Sequence, residues 1–268
     1  FTDRRMINIF VESIGLLAPG LLGWTQARPV LRGETGYAWQ DVPMTTPPIL
    51  PPAERRRCIA SARLSLTTAH EALQQASGDT PRQLACVFSS SDGDNQVITQ
   101  IMEGLAQAAP DVSPTRFANS VHNATAGYWS IATGMKQSST CLSAYDDSFS
   151  AGLLETAVQV ADEGMDSLFT ASDVKFQEPF FSLRPIAVDY AATLLVTRER
   201  SSNSLAALQV TLTERQAATA MPAWAPASFI SNPAAHSLPL LAALADPRGQ
   251  TVCLDYLEQT LQVKVSPC

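Results

Sequence analysis

The sequence predicts an α/β protein built around a mostly parallel central β-sheet. Three observations support this prediction: short apolar runs rich in β-branched and aromatic residues, segments with a helical apolar period, and the alternation of the two along the chain. The 268 residues are 46% hydrophobic and 16% charged. This composition is apolar enough for a sizeable core and too apolar for intrinsic disorder.

The beginning of the chain predicts a strand, a loop and a helix. Residues 7–16 are rich in β-branched and aromatic side chains, and Pro19-Gly20 ends the run. We expect a strand here rather than a signal peptide, because Glu12 interrupts the apolar run and no cleavage pattern follows. Residues 25–52 are rich in proline and predict a loop. A helix is predicted over 54–76 from one apolar stripe, which contains Ile59, Ala62, Leu66, Ala69 and Leu73.

The middle of the chain alternates strands with helices. The predicted strands are 84–88, 139–145 and 165–171, and the predicted helices are 96–108, 128–135 and 148–162. Gly164 follows the last of these helices, where a glycine C-terminal cap is expected.

The end of the chain predicts a β-hairpin followed by short elements. Residues 190–197 and 205–213 are two strand-like runs joined by a polar turn. Short helices are predicted at 238–244 and 254–261, and a last strand at 263–265.

Charge and cysteine content exclude several functional classes. The net charge of −7 disfavours binding to nucleic acid and to anionic membrane surfaces. No apolar run reaches the length of a membrane span. The five cysteines form no CxxC motif, and their number is odd, so we expect neither a zinc site nor a disulfide framework. A reducing, cytoplasmic location and no cofactor are the corresponding expectations.

The stretch from Phe117 to Asp173 is the most informative for chemistry. Within it, a predicted strand runs into a sharp turn at Asp146-Asp147, and a helix leaves that turn. The start of a helix favours an anion, a thiolate or an oxyanion. The two aspartates could form an acid/base pair or part of a metal site, but we favour the interpretation that one of them caps the helix.

This region resembles the surroundings of the nucleophile in β-ketoacyl synthases, condensing enzymes with the thiolase-like fold. The elements that carry the resemblance follow the family's order and approximate spacing: Asn123, Ala126-Gly127, Gly134, strand 139–145, helix 148–162 and Gly164. The resemblance implies a single domain over 6–268, in which 7–213 corresponds to the N-terminal half of the fold and 214–268 to a shortened second half. Residues 1–5 are left out of this prediction.

The departures from the family concern its catalytic groups. The position of the nucleophilic cysteine falls on Asp146 when counted from Gly134 and on Asp147 when counted from Gly164. The family's two histidine motifs, His-Gly-Thr and Asn-x-x-Phe-Gly-Phe-Gly-Gly, do not occur, and the one late histidine is His236. We also expect the chain to be too short for a full second half.

A ketosynthase-like chain without these groups resembles a chain length factor, like those of aryl polyene and related type II polyketide clusters. The resemblance implies a non-catalytic subunit that pairs with an active β-ketoacyl synthase, shapes its acyl tunnel, and meets the acyl carrier protein through that complex. Candidate tunnel or interface residues are Phe149, Ile98, Met102, His122, Asn123 and Cys141. The basic run Arg55, Arg56 and Arg57 could receive an acidic carrier protein, or could be a solvated first helical turn.

Other interpretations remain open. The sequence around Ser150 partly matches the Gly-x-Ser-x-Gly turn of serine hydrolases, and Asp173 and His236 follow it in the order of a catalytic triad. A serine hydrolase or a residual thioester decarboxylase is therefore the alternative. Cys141 could be a nucleophile, but a buried structural thiol is the favoured interpretation. A hydrogen-bonded core position is favoured for His122. The run 92–95 suggests a capping turn more than a cation site. A homodimeric acyl-binding module is the third possibility.

Overall fold

The computed structural model describes residues 6–43, 47–76 and 83–268. Its strands form one sheet in the order β4-β3-β5-β6-β1-β7-β9-β8, with β2 beside β1. The strands are β1 (Ile7–Ala18), β2 (Leu21–Leu22), β3 (Ala85–Ser89), β4 (Ser139–Leu142), β5 (Ser167–Asp173), β6 (Tyr190–Thr197), β7 (Ala206–Glu214), β8 (Gln250–Tyr256) and β9 (Gln259–Pro267). The helices are α1 (Trp24–Leu31), α2 (Pro52–Arg57), α3 (Ala60–Gln75), α4 (Asn95–Leu105), α5 (Pro114–Asn119), α6 (Ala124–Thr133), α7 (Ser148–Glu163), α8 (Phe180–Leu183), α9 (Ala227–Ile230) and α10 (Leu238–Ala245).

The sheet is mixed, so the prediction of a mostly parallel sheet is wrong. Only β3 pairs in parallel, with β4 on one side and β5 on the other, and the remaining pairs among the described strands are antiparallel. The parallel pairs arise where helices connect successive strands: α4 to α6 link β3 to β4, and α7 links β4 to β5.

The strands predicted as a hairpin at 190–213 both exist, but they do not pair with each other. Strand β1 lies between them, with Phe10 opposite Thr197 and Val11 opposite Ala206. A central buried strand needs hydrogen-bonding partners along both edges, and the two later strands supply them. The polar turn between β6 and β7 therefore crosses β1 near Phe10 and Val11, in the interior of that strand.

Helices cover both faces of the sheet. Leu168 and Phe169 are neighbours in β5, yet they belong to separate apolar clusters, because successive strand residues point to opposite faces. Helices α3 and α6 pack on the Leu168 face, and α7 packs on the Phe169 face. Strand β4 lies at one end of the sheet, as expected for an exposed edge strand.

Close approach of α7 to the sheet depends on Gly152. A Cβ atom at this position would lie 2.4 Å from Cε2 of Phe169 and 2.9 Å from Oγ of Ser89. Phe149, one turn earlier, is buried with its ring 5.5 Å from that of Phe169. The start of α7 is thus held firmly against β5 and β3.

Several local predictions need correction. The proline-rich stretch includes helix α1, because Trp24, Ala27, Val30 and Leu31 make one buried stripe despite Pro29. The helix predicted at 54–76 is broken into α2 and α3 by extended backbone at Cys58 and Ile59. Helix α5 was not predicted, and α6 begins four residues earlier than expected.

The helix predicted at 254–261 is instead part of the β8–β9 hairpin. Val252 and Leu254 on β8, and Leu261, Val263 and Val265 on β9, are buried with a two-residue period. The strand predicted at 263–265 is therefore confirmed as part of a longer one. None of the helices in the described ranges is long and apolar enough to cross a lipid bilayer. Residues 1–5 lie outside those ranges.

Candidate functional site

The turn between β4 and α7 has the strand–turn–helix form that the sequence predicted. Tyr145 has a φ angle of 55°, in the left-handed region that non-glycine residues seldom adopt. The Ser148 hydroxyl stabilises this turn, since it accepts a hydrogen bond from the Ala144 amide at 3.0 Å and donates one to the Tyr145 carbonyl at 2.7 Å. The turn presents Tyr145 and Asp146 to solvent at the start of α7.

Asp146 is held by Arg184, a residue for which the sequence offered no signal. The Arg184 guanidinium donates to Asp146 Oδ1 and to Asp92 Oδ2, both at 2.6 Å. Its central carbon also lies 3.7 Å from the ring centroid of Tyr145. One side chain, only 13% exposed, thus joins the turn before α7 to the loop after β3.

Asp147 occupies the residue before α7, but its side chain does not cap the helix. Its Oδ2 atom instead accepts a hydrogen bond from the Leu257 amide at 2.7 Å. Leu257 lies at the tip of the β8–β9 hairpin and has a φ angle of 51°. The predicted capping role is therefore wrong at both aspartates, because the carboxylates pair with groups that are distant in sequence.

His236 is the histidine that reaches this turn. Its Nδ1 atom lies 3.0 Å from the Asp146 carbonyl oxygen, and its Nε2 atom lies 3.1 Å from the Ile230 carbonyl oxygen. Both ring nitrogens thus face carbonyl oxygens, and a neutral ring, which has a single N–H, donates to one of them at a time. Neither nitrogen is hydrogen-bonded to a serine, a cysteine or a carboxylate within the described ranges.

The proposed Ser150, Asp173 and His236 triad is not assembled. Ser150 is buried. Asp173 Oδ1 accepts hydrogen bonds from the Ser91 amide and hydroxyl, both at 2.8 Å, and Oδ2 accepts one from the Ala234 amide at 3.1 Å. Burial raises the pKa of Asp173 to about 6, although these hydrogen bonds oppose the shift. Asp173 therefore connects the loop after β3 to the segment before α10, and does not orient the histidine.

The cysteine closest in sequence to the turn, Cys141, lies on edge strand β4 and is half-buried. Burial raises the pKa of its thiol. Burial also raises the pKa of Cys86 to about 12 and that of Cys58 to about 11. These three thiols stay protonated near neutral pH, which fits the structural interpretation of Cys141.

The other tunnel or interface candidates fall into different environments. On α4, Ile98 is half-buried and Met102 is 53% exposed. His122 is exposed, with Nε2 3.3 Å from the Ser90 carbonyl oxygen, so the expectation of a core position is wrong. Asn123 is exposed at the start of α6 and makes no capping hydrogen bond. Phe149 is buried in the core, as described above.

Helices α4 to α6, with the segment between α5 and α6, carry a set of exposed large apolar side chains, which we name the α4–α6 apolar face. Its members are Met102, Leu105, Phe117, Val121 and Ile131, each about half exposed or more. Large apolar groups in one region of a surface indicate contact with another molecule.

The basic run lies in the last turn of α2, not in a first helical turn as predicted. Arg55 donates to the carbonyl oxygens of Leu50 and Pro48, both at 2.6 Å. Arg57 borders an open groove of about 490 Å³ that Asn123 and Ile131 also line. Positive charge interacts favourably with the dipole at a helix C-terminus, so the three arginines do not destabilise α2 through that interaction.

The loop at 92–95 is a capping turn, as predicted. Asp94 accepts hydrogen bonds from the Val97 amide in α4 and from the Ser61 amide and hydroxyl in α3. Asp92 pairs with Arg184. Within the described ranges, no three histidine, cysteine, aspartate or glutamate side chains come together as a metal site would require.

The chain matches the protein family described as the N-terminal domain of β-ketoacyl synthases, over residues 26–256. No curated protein sequence matches it.

Three solved structures cover nearly the whole chain. One is a ketosynthase in complex with its chain length factor from Xenorhabdus doucetiae, with 22% identity, a TM-score of 0.71, and coverage of 96% of this chain and 99% of the matched one. The ishigamide ketosynthase/chain length factor has 14% identity and a TM-score of 0.71, and the match covers 97% of this chain and 98% of the matched one. The third structure is a type II polyketide synthase acyl carrier protein in complex with its ketosynthase. It has 11% identity and a TM-score of 0.74, and the match covers 98% of this chain and 100% of the matched one. At these identities the likeness shows the fold, and it confirms the predicted thiolase-like architecture.

Proposed function

The chain belongs to the family of β-ketoacyl synthase N-terminal domains, and from that premise we propose that it is a non-catalytic chain length factor. In this role it pairs with an active β-ketoacyl synthase and shapes the tunnel that receives the growing acyl chain. One observation carries the proposal: the carboxylates of Asp146 and Asp147, in the turn that the resemblance aligns with the family's nucleophilic cysteine, are both bound by other parts of the chain.

The chemistry of this turn supports a non-catalytic subunit. Condensation passes the acyl group through a thioester on the enzyme, and a carboxylate cannot form one. Both His236 ring nitrogens face backbone carbonyl oxygens and neither faces a serine or cysteine side chain of the described residues, so the histidine is not placed to activate a nucleophile. The condensation itself, a decarboxylative carbon–carbon bond formation on carrier-protein thioesters, then belongs to the partner.

The α4–α6 apolar face and edge strand β4 support a ketosynthase as the partner. The solved structures that cover this chain almost completely include two complexes of a ketosynthase with its chain length factor. In our proposal Met102 and Ile98 approach the partner's tunnel, with His122, Asn123 and Cys141 nearby and Phe149 behind them in the core. The chain alone would then expose an apolar surface and an unpaired strand edge, and we expect it to aggregate.

The acyl carrier protein meets the complex, in this proposal, at the basic end of α2. Arg55, Arg56 and Arg57 are exposed there, next to the groove that Arg57 borders. An acidic carrier protein would be steered to this charge, with a dependence on ionic strength.

The test is co-expression with an active β-ketoacyl synthase from the same source organism, with a tag on this chain only. We expect a one-to-one complex on size exclusion that elongates carrier-bound acyl chains, whereas this chain alone does not. Met102→Glu should abolish co-purification. Met6→Glu is the matched control, because Met6 is 55% exposed and lies at the start of central strand β1, away from α4.

Three results contradict the proposal. The first is elongation by the purified chain alone. The second is a monodisperse chain that ignores the ketosynthase at high concentration. The third is a stable homodimer disrupted by Met102→Glu, which would assign the α4–α6 apolar face to a second copy of this chain.

A further inference from the structure

A small cavity lies between the first turn of α7, the segment that leads to α9, and strand β8. Its volume is about 160 Å³. Apolar side chains form much of its wall: Met221, Ile230, Pro239 and Leu254.

Ser150 is the polar group for which the chain provides no partner here. Its side chain is 3% exposed and lines the cavity. Its hydroxyl makes no hydrogen bond with any residue in the described ranges, whereas the Thr156 hydroxyl, farther along the same helix, donates to the Gly152 carbonyl at 2.7 Å. Because this hydroxyl has no partner in the described chain and faces the cavity, it is free to hydrogen-bond to a ligand group that enters there.

The surroundings of the cavity favour a neutral occupant, because a largely apolar wall does not replace the hydration that a charged group would lose. Its described wall contains no lysine or arginine to pair with an anion. His236 is also in the wall, but its ring nitrogens face backbone carbonyl oxygens and so do not face an anion in the cavity. Asp255 contributes an exposed carboxylate to the wall, which would also repel an anion.

The volume sets the size of the occupant. An apolar cavity of about 150 Å³ engineered in another protein accepts a benzene molecule. We propose that this cavity binds a neutral group about as large as a benzene ring or a short alkyl chain, bearing one hydroxyl or carbonyl oxygen that pairs with Ser150. This inference goes beyond the proposed function and does not depend on it.

The test uses ligand-observed ¹⁹F NMR on the full chain, in whichever assembly it purifies. We expect 4-fluorobenzyl alcohol to bind more tightly than 4-fluorobenzoate or 4-fluorobenzylamine. Ser150→Ala should weaken binding of the alcohol by about threefold to tenfold, the effect of one neutral hydrogen bond. The same variant should leave 4-fluorotoluene, which has no hydroxyl, unchanged.

A second pair of variants tests the location without altering the core. Ala218 is exposed and lines the cavity, and Ala220 is exposed on the same segment but does not line it. Ala218→Phe should block the alcohol, and Ala220→Phe should not. The inference is overturned if the alcohol fails to bind the folded chain, if the three charge forms bind equally, or if Ala218→Phe has no effect. A chain that binds the alcohol but ignores the ketosynthase would contradict the proposed function alone.

Discussion

The carboxylate of Asp147 accepts a hydrogen bond from the backbone amide of Leu257, 110 residues later in the chain, at 2.7 Å. This contact joins the residue before α7 to the tip of the C-terminal hairpin. It uses a side chain that the helix would otherwise employ as a cap, so it ties the final strands of the fold to the start of α7.

Loss of that contact should loosen the hairpin tip. We expect Asp147→Ala to lower the free energy of unfolding by about 1 kcal/mol, the scale of one partly solvated hydrogen bond, and to speed amide exchange at residues 256–259. Asp147→Asn keeps an acceptor oxygen and should restore much of the protection. Unchanged exchange at Leu257 in the alanine variant would contradict this role.

Arg184 should stabilise the fold through two carboxylates at once. Arg184→Ala is expected to cost about 1–2 kcal/mol in urea unfolding, since each partly exposed pair contributes little and the contact with Tyr145 adds to it. Arg184→Lys should recover less than half, because an ammonium lacks the planar fork that reaches both Asp92 and Asp146.

The matched control for Arg184 is its neighbour Leu183, which is 83% exposed. Leu183→Ala should leave stability within about 0.5 kcal/mol of the parent chain. The ion pairs are not the source of the effect if the loss of unfolding free energy in Arg184→Ala stays the same at high salt.

The buried Asp173 should make stability depend on pH. Its pKa is raised from 3.8 to about 6 in the folded chain, so the folded state binds more protons than the unfolded state between these values. Asp173 therefore adds about 2–3 kcal/mol to the free energy of unfolding below about pH 4, and this stabilisation is lost as the pH rises to about 6.

Asp173→Asn tests this dependence. The variant loses one acceptor, facing the Ala234 amide, and should be less stable at pH 4. From pH 4 to pH 7 its stability should fall by less than that of the parent chain. Parallel curves for the two proteins would show that Asp173 does not titrate in this window.

Gly152 should tolerate no side chain. Gly152→Ala places a Cβ against Phe169 and Ser89 and is expected to cost about 1–3 kcal/mol by overpacking, despite the better helix propensity of alanine. The control is Gly127 in α6. Apart from its chain neighbours and its own helix backbone, no atom of the described residues lies within 4 Å of a Cβ placed there. Gly127→Ala should therefore raise the free energy of unfolding by up to about 1 kcal/mol. Thermal unfolding of both variants checks the pair, and an unharmed Gly152→Ala would refute this account of how α7 packs.

Ser150 should not react as a hydrolase nucleophile. Its hydroxyl has no base within hydrogen-bonding distance in the described part of the chain, and both His236 nitrogens are engaged elsewhere. We expect a fluorophosphonate probe to leave Ser150 unmodified in intact-mass and peptide analysis. Labelling at Ser150, absent from Ser150→Ala, would revive the hydrolase alternative.

Local patterns along the chain predict most of the elements and the location of the turn at Asp146-Asp147. Local periodicity sufficed for β1, α7 and β5, because each buries a regular stripe or a continuous apolar run whatever its neighbours are. The order of elements and the turn carried the family resemblance for the same reason. The absence of a cysteine at that turn was also plain in the sequence.

Tertiary structure alone decided the strand pairings and the contacts of the site. The placement of β1 between β6 and β7 depends on edges brought together from opposite ends of the chain, which no local pattern records. The partners of Asp146 and Asp147 are Arg184 and Leu257, remote residues without a motif. Periodicity describes which face of an element is apolar, whereas a hydrogen bond between distant residues depends on where the packed elements place single atoms.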